Sequence, residues 1–340
     1  MIWQNAEIYN AAELIEQEDG GVCWLRVPAA ARDAMETDQG KRMAGCATGV
    51  ELRFVLKGEQ AVIRMRTVVG DGIFHVYRGG IQGGWEDHET HKVVRTQAEE
   101  FVIRRSENME RLKVMTEKSG LDWDCEVIRV IFDRGCFELY GIEGDIEPPG
   151  REQCPEKTLM AYGSSITHGS NSLDQSHSWV SVMAHALNMD ARNLGMAGSC
   201  WMEPEIVDYV ASEGEKGAWD IAILELGINV MGWEEEKFLS RVESTVLTVA
   251  GRNPDKPVFV ISPFYYCGET FDASGKADRR RAKMEEIGKR LALENVEWIN
   301  GLDILENMSY ISADEVHPNI YGVQRIADRL TERIRLRISK

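Results

Sequence analysis

The stretch Thr158-Leu159-Met160-Ala161-Tyr162-Gly163-Ser164-Ser165-Ile166-Thr167-His168-Gly169 decides how the chain is read. Residues 158–161 form a short apolar run of the kind found in a buried strand. The run opens into a loop where two small hydroxyl residues lie between glycines. Glycine lets a backbone bend tightly, and a serine at the mouth of a strand is placed as a nucleophile is. A Gly/Ser loop is also an ordinary turn. The choice between the two depends on what else in the chain could serve that serine.

Downstream of the loop, apolar runs alternate with helical spacing. Trp179, Val182, Met183, Ala186 and Leu187 recur at helical intervals, and residues 190–193 suit a short strand. Ile206, Val207 and Val210 mark a short helix, and residues 220–226 are a second near-continuous apolar run. Phe238, Val242, Thr245 and Val249 form one stripe, followed by a third run at 257–261. Met284, Ile287 and Leu291 mark another helix, residues 296–300 a last strand, and Val323, Ile326, Ala327, Leu330 and Ile334 the terminal helix. Such alternation predicts a parallel sheet covered by helices on both faces. In sheets of this kind, active sites lie in loops at the carboxyl ends of the strands.

Upstream, residues 1–150 have β character. Runs at 50–56 and 61–68 flank Lys57-Gly58-Glu59-Gln60 and predict a hairpin. Further strands are expected at 21–28, 73–77, 91–95, 101–104, 127–133 and 136–141, while 106–118 shows helical spacing at Met109, Leu112 and Met115. Many short strands with Gly turns indicate a sandwich or jelly roll. Asp145-Ile146-Glu147-Pro148-Pro149-Gly150 breaks the pattern. The expected organisation is an all-β domain at 1–150 followed by an α/β domain at 151–340.

Composition narrows the function. The 340 residues are 43% hydrophobic and 28% charged, which suits a soluble globular protein with sizeable cores. No run approaches the ~20 apolar residues of a membrane span. The first residues lack a basic segment followed by an apolar one, so no secretory signal is expected. A net charge of −17 disfavours nucleic acid and anionic membranes as partners. The seven cysteines are scattered, odd in number and without a Cys-x-x-Cys pair, which points to reduced thiols and a cytoplasmic location.

The strand-end loops supply what Ser165 needs. Acyl transfer requires a nucleophile, a base, a group that orients the base, and donors for a developing oxyanion. Ser165 offers the hydroxyl, His317 a base, and Asp314, three residues earlier, an acceptor for the second ring nitrogen. Gly198 offers an unobstructed backbone N–H, Asn229 a side-chain amide, and Ser165 its own N–H. Plainer readings stand beside these: Asp314 also suits a cap for the last helix, which Pro318 is well placed to start, and Gly227 with Asn229 suits a turn.

Together these residues resemble the SGNH/GDSL hydrolase superfamily. Gly163-Ser164-Ser165-Ile166-Thr167 is similar to its first block and Gly198 to its second. Gly227-Ile228-Asn229 is similar to the third and Asp314-Glu315-Val316-His317-Pro318 to the last. The resemblance implies a flavodoxin-like three-layer α/β/α catalytic domain and a Ser165–His317–Asp314 triad. It further implies an oxyanion hole of Ser165, Gly198 and Asn229, with no metal or cofactor. One departure stands out: the family carries Asp before the nucleophile, as loop support, and this chain has Ser164. The β-rich domain ahead resembles that of two-domain esterases acting on acylated sugars.

The expected activity is therefore removal of short acyl groups, chiefly acetyl, from a carbohydrate or related small ester. A lipase or thioesterase, an acyltransferase, or a carbohydrate-binding protein with a weak catalytic domain are the alternatives. Assembly as a homo-oligomer stays open. Other residues carry less: His88 and His91 lack a complete ligand set for a metal. His168 lines the pocket or closes the loop. Trp179 suits the core, and Trp201, Trp233, Tyr265 and Tyr266 suit packing as well as a sugar face.

Overall fold

A computed structural model of the chain describes residues 1–85 and 88–338. The chain divides into two compact units. One comprises Met1–Pro28, Ala44–Glu156 and Asn188–Asp190; the other comprises Ala29–Met43, Lys157–Leu187 and Ala191–Lys340. This differs from a single cut near residue 150 in two places. Residues 29–43 fold with the second unit because Gln39 donates to the Ala197 carbonyl at 3.3 Å and Glu36 accepts from Arg241 at 2.6 Å. Residues 188–190 fold with the first because both oxygens of Asp190 accept from Arg53, each at 2.7 Å.

The first unit is a set of antiparallel strands around one apolar cluster that includes Trp24, Phe54, Ile63, Phe74, Val130, Phe132 and Leu139. Its sheet path runs Glu13–Glu16, Val22–Leu25, Phe137–Glu147, Glu51–Thr67, Val127–Phe132, Gly72–Arg78 and Ile81–Gln82. The expected hairpin across residues 50–68 is absent: Glu51–Thr67 is one continuous strand of 17 residues. None of residues 57–60 adopts left-handed backbone, so the chain runs on instead of turning back. The neighbouring Phe137–Glu147 strand pairs with Glu51–Thr67 between Val55 and Thr67, with register shifts between Leu139 and Gly141 and between Gly144 and Ile146. The strand therefore pairs with Val127–Phe132 near its start and with Glu99–Arg104 near its end. Residues Met109–Ser119 are a helix closed by left-handed Gly120.

The second unit is built on a five-stranded parallel sheet. Its strands are β1 (Thr158–Gly163), β2 (Asp190–Gly195), β3 (Ile221–Glu225), β4 (Val258–Ile261) and β5 (Val296–Ile299), in spatial order β2-β1-β3-β4-β5. Every residue of β3 and β4 is buried, as expected for strands covered on both faces. The helices Trp179–Leu187 and Ile320–Ile338 pack together, and Pro204–Glu215, Glu235–Gly251 and Lys276–Leu291 form a second packed group. The α/β/α arrangement follows from these two groups. Glu235 and Glu236 occupy the first turn of their helix, where the helix dipole favours them.

Candidate active site

The Ser165 loop is a strand–turn–helix. β1 ends at Gly163, and a four-residue helix, Ser165–His168, begins at once. Ser164 is its N-cap: the Ser164 hydroxyl accepts the Ile166 N–H at 3.1 Å. Gly169 closes the helix with left-handed backbone. Trp179 is buried and donates its indole N–H to the Ile166 carbonyl at 3.0 Å, so it is core that supports the loop from below.

Ser165, His317 and Asp314 come together. The Ser165 hydroxyl lies 2.7 Å from His317 Nε2, and His317 Nδ1 lies 2.9 Å from Asp314 Oδ2. With Nδ1–H donating to the carboxylate, Nε2 is left to accept from the serine. Asp314 does not cap the terminal helix. Asn319 does, accepting the N–H groups of Tyr321 and Gly322 at 3.0 Å each. The last loop is shaped by the Ile311–Pro318 bridge and by Ser312 N–H donating to the His317 carbonyl at 2.9 Å.

Partial burial disfavours the ionised Asp314 carboxyl. The backbone N–H groups of His317 and Val316, together with the His317 ring, outweigh that and hold it well below the usual carboxylate range. Asn171 also donates to Asp314 Oδ2, at 2.7 Å, and to Ser312 at 2.8 Å. Sequence reasoning missed Asn171, which sits in a polar stretch 143 residues from its partner and resembles any loop asparagine.

Two further loops reach the same strand ends. Asn193 donates to the Thr167 carbonyl at 2.8 Å, and Met196 N–H to the Gly163 carbonyl at 2.8 Å, which binds the second loop to the first. Gly198 has φ +68°, a left-handed backbone that suits glycine. Asn229 Oδ1 accepts the Cys200 N–H at 3.0 Å, which turns its NH2 group the other way. Among the described residues, the N–H groups of Ser165 and Gly198 and the Asn229 amide NH2 have no intramolecular acceptor. Unengaged donors of this kind are what an oxyanion requires.

Glu225, at the end of β3, was also missed. It is buried, and its Oε2 accepts the Ser164 N–H at 2.8 Å, the Ser164 hydroxyl at 2.6 Å and the Thr167 hydroxyl at 3.1 Å. Burial pushes its carboxyl up to about 7, against the pull of those hydrogen bonds. A charged residue inside the apolar run 220–226 was the available signal.

The aromatic candidates divide. Trp201 and Trp233 meet edge to face at 5.3 Å, both half-buried, and Lys237 Nζ lies 3.8 Å over the Trp233 ring. Tyr265 bonds to Thr270 at 2.6 Å, and His168 is buried beneath the loop. In the first unit, Glu89 of the His88–His91 stretch is buried and pairs with Arg78 at 2.5 Å. Among the described residues, no helix is long and apolar enough to cross a membrane.

Residues 156–335 match the GDSL-like lipase/acylhydrolase family. Among solved structures, a salicylyl-acyltransferase from a tetracycline biosynthetic pathway aligns with a TM-score of 0.77 at 16% identity, over 95% of this chain and 92% of that one. A family two carbohydrate esterase from Clostridium thermocellum, solved with cellohexaose, gives 0.64 at 16% identity over 98% and 99%. An acetyl xylan esterase from the rumen bacterium Butyrivibrio proteoclasticus gives 0.54 at 13% over 88% and 93%. At these identities the likeness is one of fold. No curated protein is recognisably similar in sequence.

Proposed function

The chain belongs to the GDSL-like lipase/acylhydrolase family, and from that premise we propose that it is a serine esterase removing short acyl groups, chiefly acetyl, from carbohydrate or related small esters. The observation that carries the reading is the chain of contacts from Ser165 through His317 to Asp314, at 2.7 and 2.9 Å. The likeness in fold to carbohydrate esterases along nearly the whole chain supports the substrate class.

In this reading Ser165 Oγ attacks the ester carbonyl carbon while His317 Nε2 takes its proton. The carbonyl oxygen gains the electron pair and is held by the N–H groups of Ser165 and Gly198 and by the Asn229 amide; one such donor contributes roughly 3 kcal/mol to lowering the barrier. Collapse of the intermediate expels the alcohol, which receives the proton from His317. Water, deprotonated by the same ring, then releases the acid and restores Ser165. Asp314 keeps the ring in its working tautomer and stabilises its protonated form.

A panel of esters graded in acyl length, with acetylated sugars included, tests the substrate class. The expected result is fastest turnover of acetyl esters, lost in Ser165→Ala. Rates that climb from acetyl to octanoyl would indicate a lipase or thioesterase instead. A second reading, transfer of the acyl group to an alcohol other than water, is favoured by the fold likeness to the acyltransferase. It predicts that added sugar or phenol diverts acyl product from free acid to a new ester.

A further inference from the structure

Beneath the nucleophile loop lies a carboxyl that takes no part in the proposed steps. Glu225 Oε2 gathers three donors from the loop: the Ser164 N–H, the Ser164 hydroxyl and the Thr167 hydroxyl. The cradle is tight. A methyl group at Gly163 would lie 2.2 Å from Thr167 Oγ1 and 2.8 Å from Glu225 Oε2. The other oxygen, Oε1, is buried without a partner, so the whole polar effort of this side chain falls on the loop.

Ser164 turns that contact into geometry at Ser165. A hydroxyl has one proton and two lone pairs. Because its proton goes to Glu225, a lone pair is left for the Ile166 N–H, and this is the cap that seats the first turn of the Ser165–His168 helix. Ser165 is the first residue of that turn, so the direction of its side chain and of its unengaged N–H is set by the cap.

We propose that Glu225 is a positioning residue for the nucleophile: it clamps the loop through Ser164 and Thr167 so that the Ser165 hydroxyl meets His317 and its N–H faces the oxyanion. The proposal rests on Ser165 being the nucleophile. The ionised carboxylate is the stronger clamp, since charge-assisted hydrogen bonds are the stronger kind. The ionisable groups around Glu225 include Cys200, whose thiol lies 3.9 Å from the Glu225 backbone carbonyl, and Tyr162, which neighbours Cys200, with Glu203 beside both. Burial pushes Cys200 and Tyr162 well up, so these two stay protonated through the neutral range. The amide in Glu225→Gln is not a silent replacement. It leaves a neutral oxygen for three donors and puts NH2 at a buried position with no acceptor.

The test follows phosphonylation of Ser165 by a fluorophosphonate, beside kcat and KM on a short acyl ester. In phosphonylation an Oγ–P bond forms, the P–F bond breaks, fluoride leaves and the serine proton passes to His317. Wild type is compared with Glu225→Gln, Ser164→Ala and the double variant. A misplaced reacting group costs about 10²-fold, so Glu225→Gln is expected to slow both phosphonylation and kcat by about that factor, with KM within about twofold. Ser164→Ala is expected to slow them less, and the double variant no more than Glu225→Gln alone. The acid limb of the wild-type labelling rate is expected to carry one proton more than that of Glu225→Gln, the proton taken up by Glu225.

Labelling of Glu225→Gln at the wild-type rate, with only the melting temperature changed, overturns the proposal and leaves Ser165 as nucleophile. Should that variant not fold, Ser164→Ala decides the matter, and a wild-type rate there overturns the proposal equally. A wild type that is not labelled at Ser165 overturns both the nucleophile assignment and the clamp.

Discussion

The Ser164 hydroxyl donates to Glu225 Oε2 at 2.6 Å, which ties the residue before Ser165 to the end of the central strand β3. The contact falls where the SGNH/GDSL block that this chain resembles carries an aspartate. A carboxylate at 164 would face the carboxylate already present at 225, and two such groups in one buried site cannot both ionise. Ser164→Asp is therefore expected to lower stability by about 1–3 kcal/mol and to lose activity. The pair Ser164→Asp with Glu225→Gln is expected to recover much of both. Chemical denaturation and kcat on the four proteins check this.

Glu225 also makes a prediction about stability and pH. Its carboxyl is raised in the fold from 4.5 to about 7 by burial. The folded state therefore binds the proton more tightly than the unfolded chain. That contribution is fully present below the unfolded value and is lost as pH rises through about 7. At about 1.4 kcal/mol per unit the swing is about 3 kcal/mol. The difference in unfolding free energy between wild type and Glu225→Gln, followed from pH 4 to 8 by denaturant titration, should move against the wild type on going up. A flat difference would mean that Glu225 ionises in the fold as it does in water.

Asn229 holds the Cys200 N–H with its oxygen, and among the described residues its NH2 group has no intramolecular acceptor. Asn229→Asp keeps the acceptor and removes the donor, so it separates structure from catalysis. Loss of one oxyanion donor corresponds to about 10²–10³ in kcat. The aspartate variant is expected to fall by that much, as is Asn229→Ala, with KM for a short ester little changed.

The Asp314 carboxylate is shared between the His317 ring and the Asn171 amide, at 2.9 and 2.7 Å. Asp314→Ala is expected to reduce kcat by about 10²–10⁴-fold, since the ring loses its tautomer and its counter-charge. Asn171→Ala leaves the carboxylate in place and is expected to cost about tenfold or less, through looser placement. Steady-state kinetics at pH 8 distinguish the two.

Much of the second unit was legible because strands buried on both faces read as apolar runs, and 158–161, 220–226 and 257–261 all became sheet strands. The residues at their ends were legible for the same reason: topology brings strand-end loops together, so Ser165, Asn229 and the Asp314–His317 pair could be associated across 152 residues of chain. Glu225 was not. It lies inside an apolar run, and its significance depends on a contact with Ser164, 61 residues away, that no spacing encodes. The strand Glu51–Thr67 was misread because Gly58 resembles a turn residue, while the strand runs on through residues 57–60 opposite a register shift in its partner between Gly144 and Ile146. Residues 29–43 fold with the second unit through contacts such as Glu36 with Arg241, 205 residues apart, which composition does not mark.

In the proposed mechanism Ser165 forms an acyl-enzyme. The most direct measurement is an acid quench of the protein during turnover of a slow acyl ester, followed by mass spectrometry of its peptides. One acyl group is expected on the peptide containing Ser165, accumulating before steady state, and none in Ser165→Ala. Turnover of the ester by Ser165→Ala at the wild-type rate, or an acyl group carried on another residue, would contradict it.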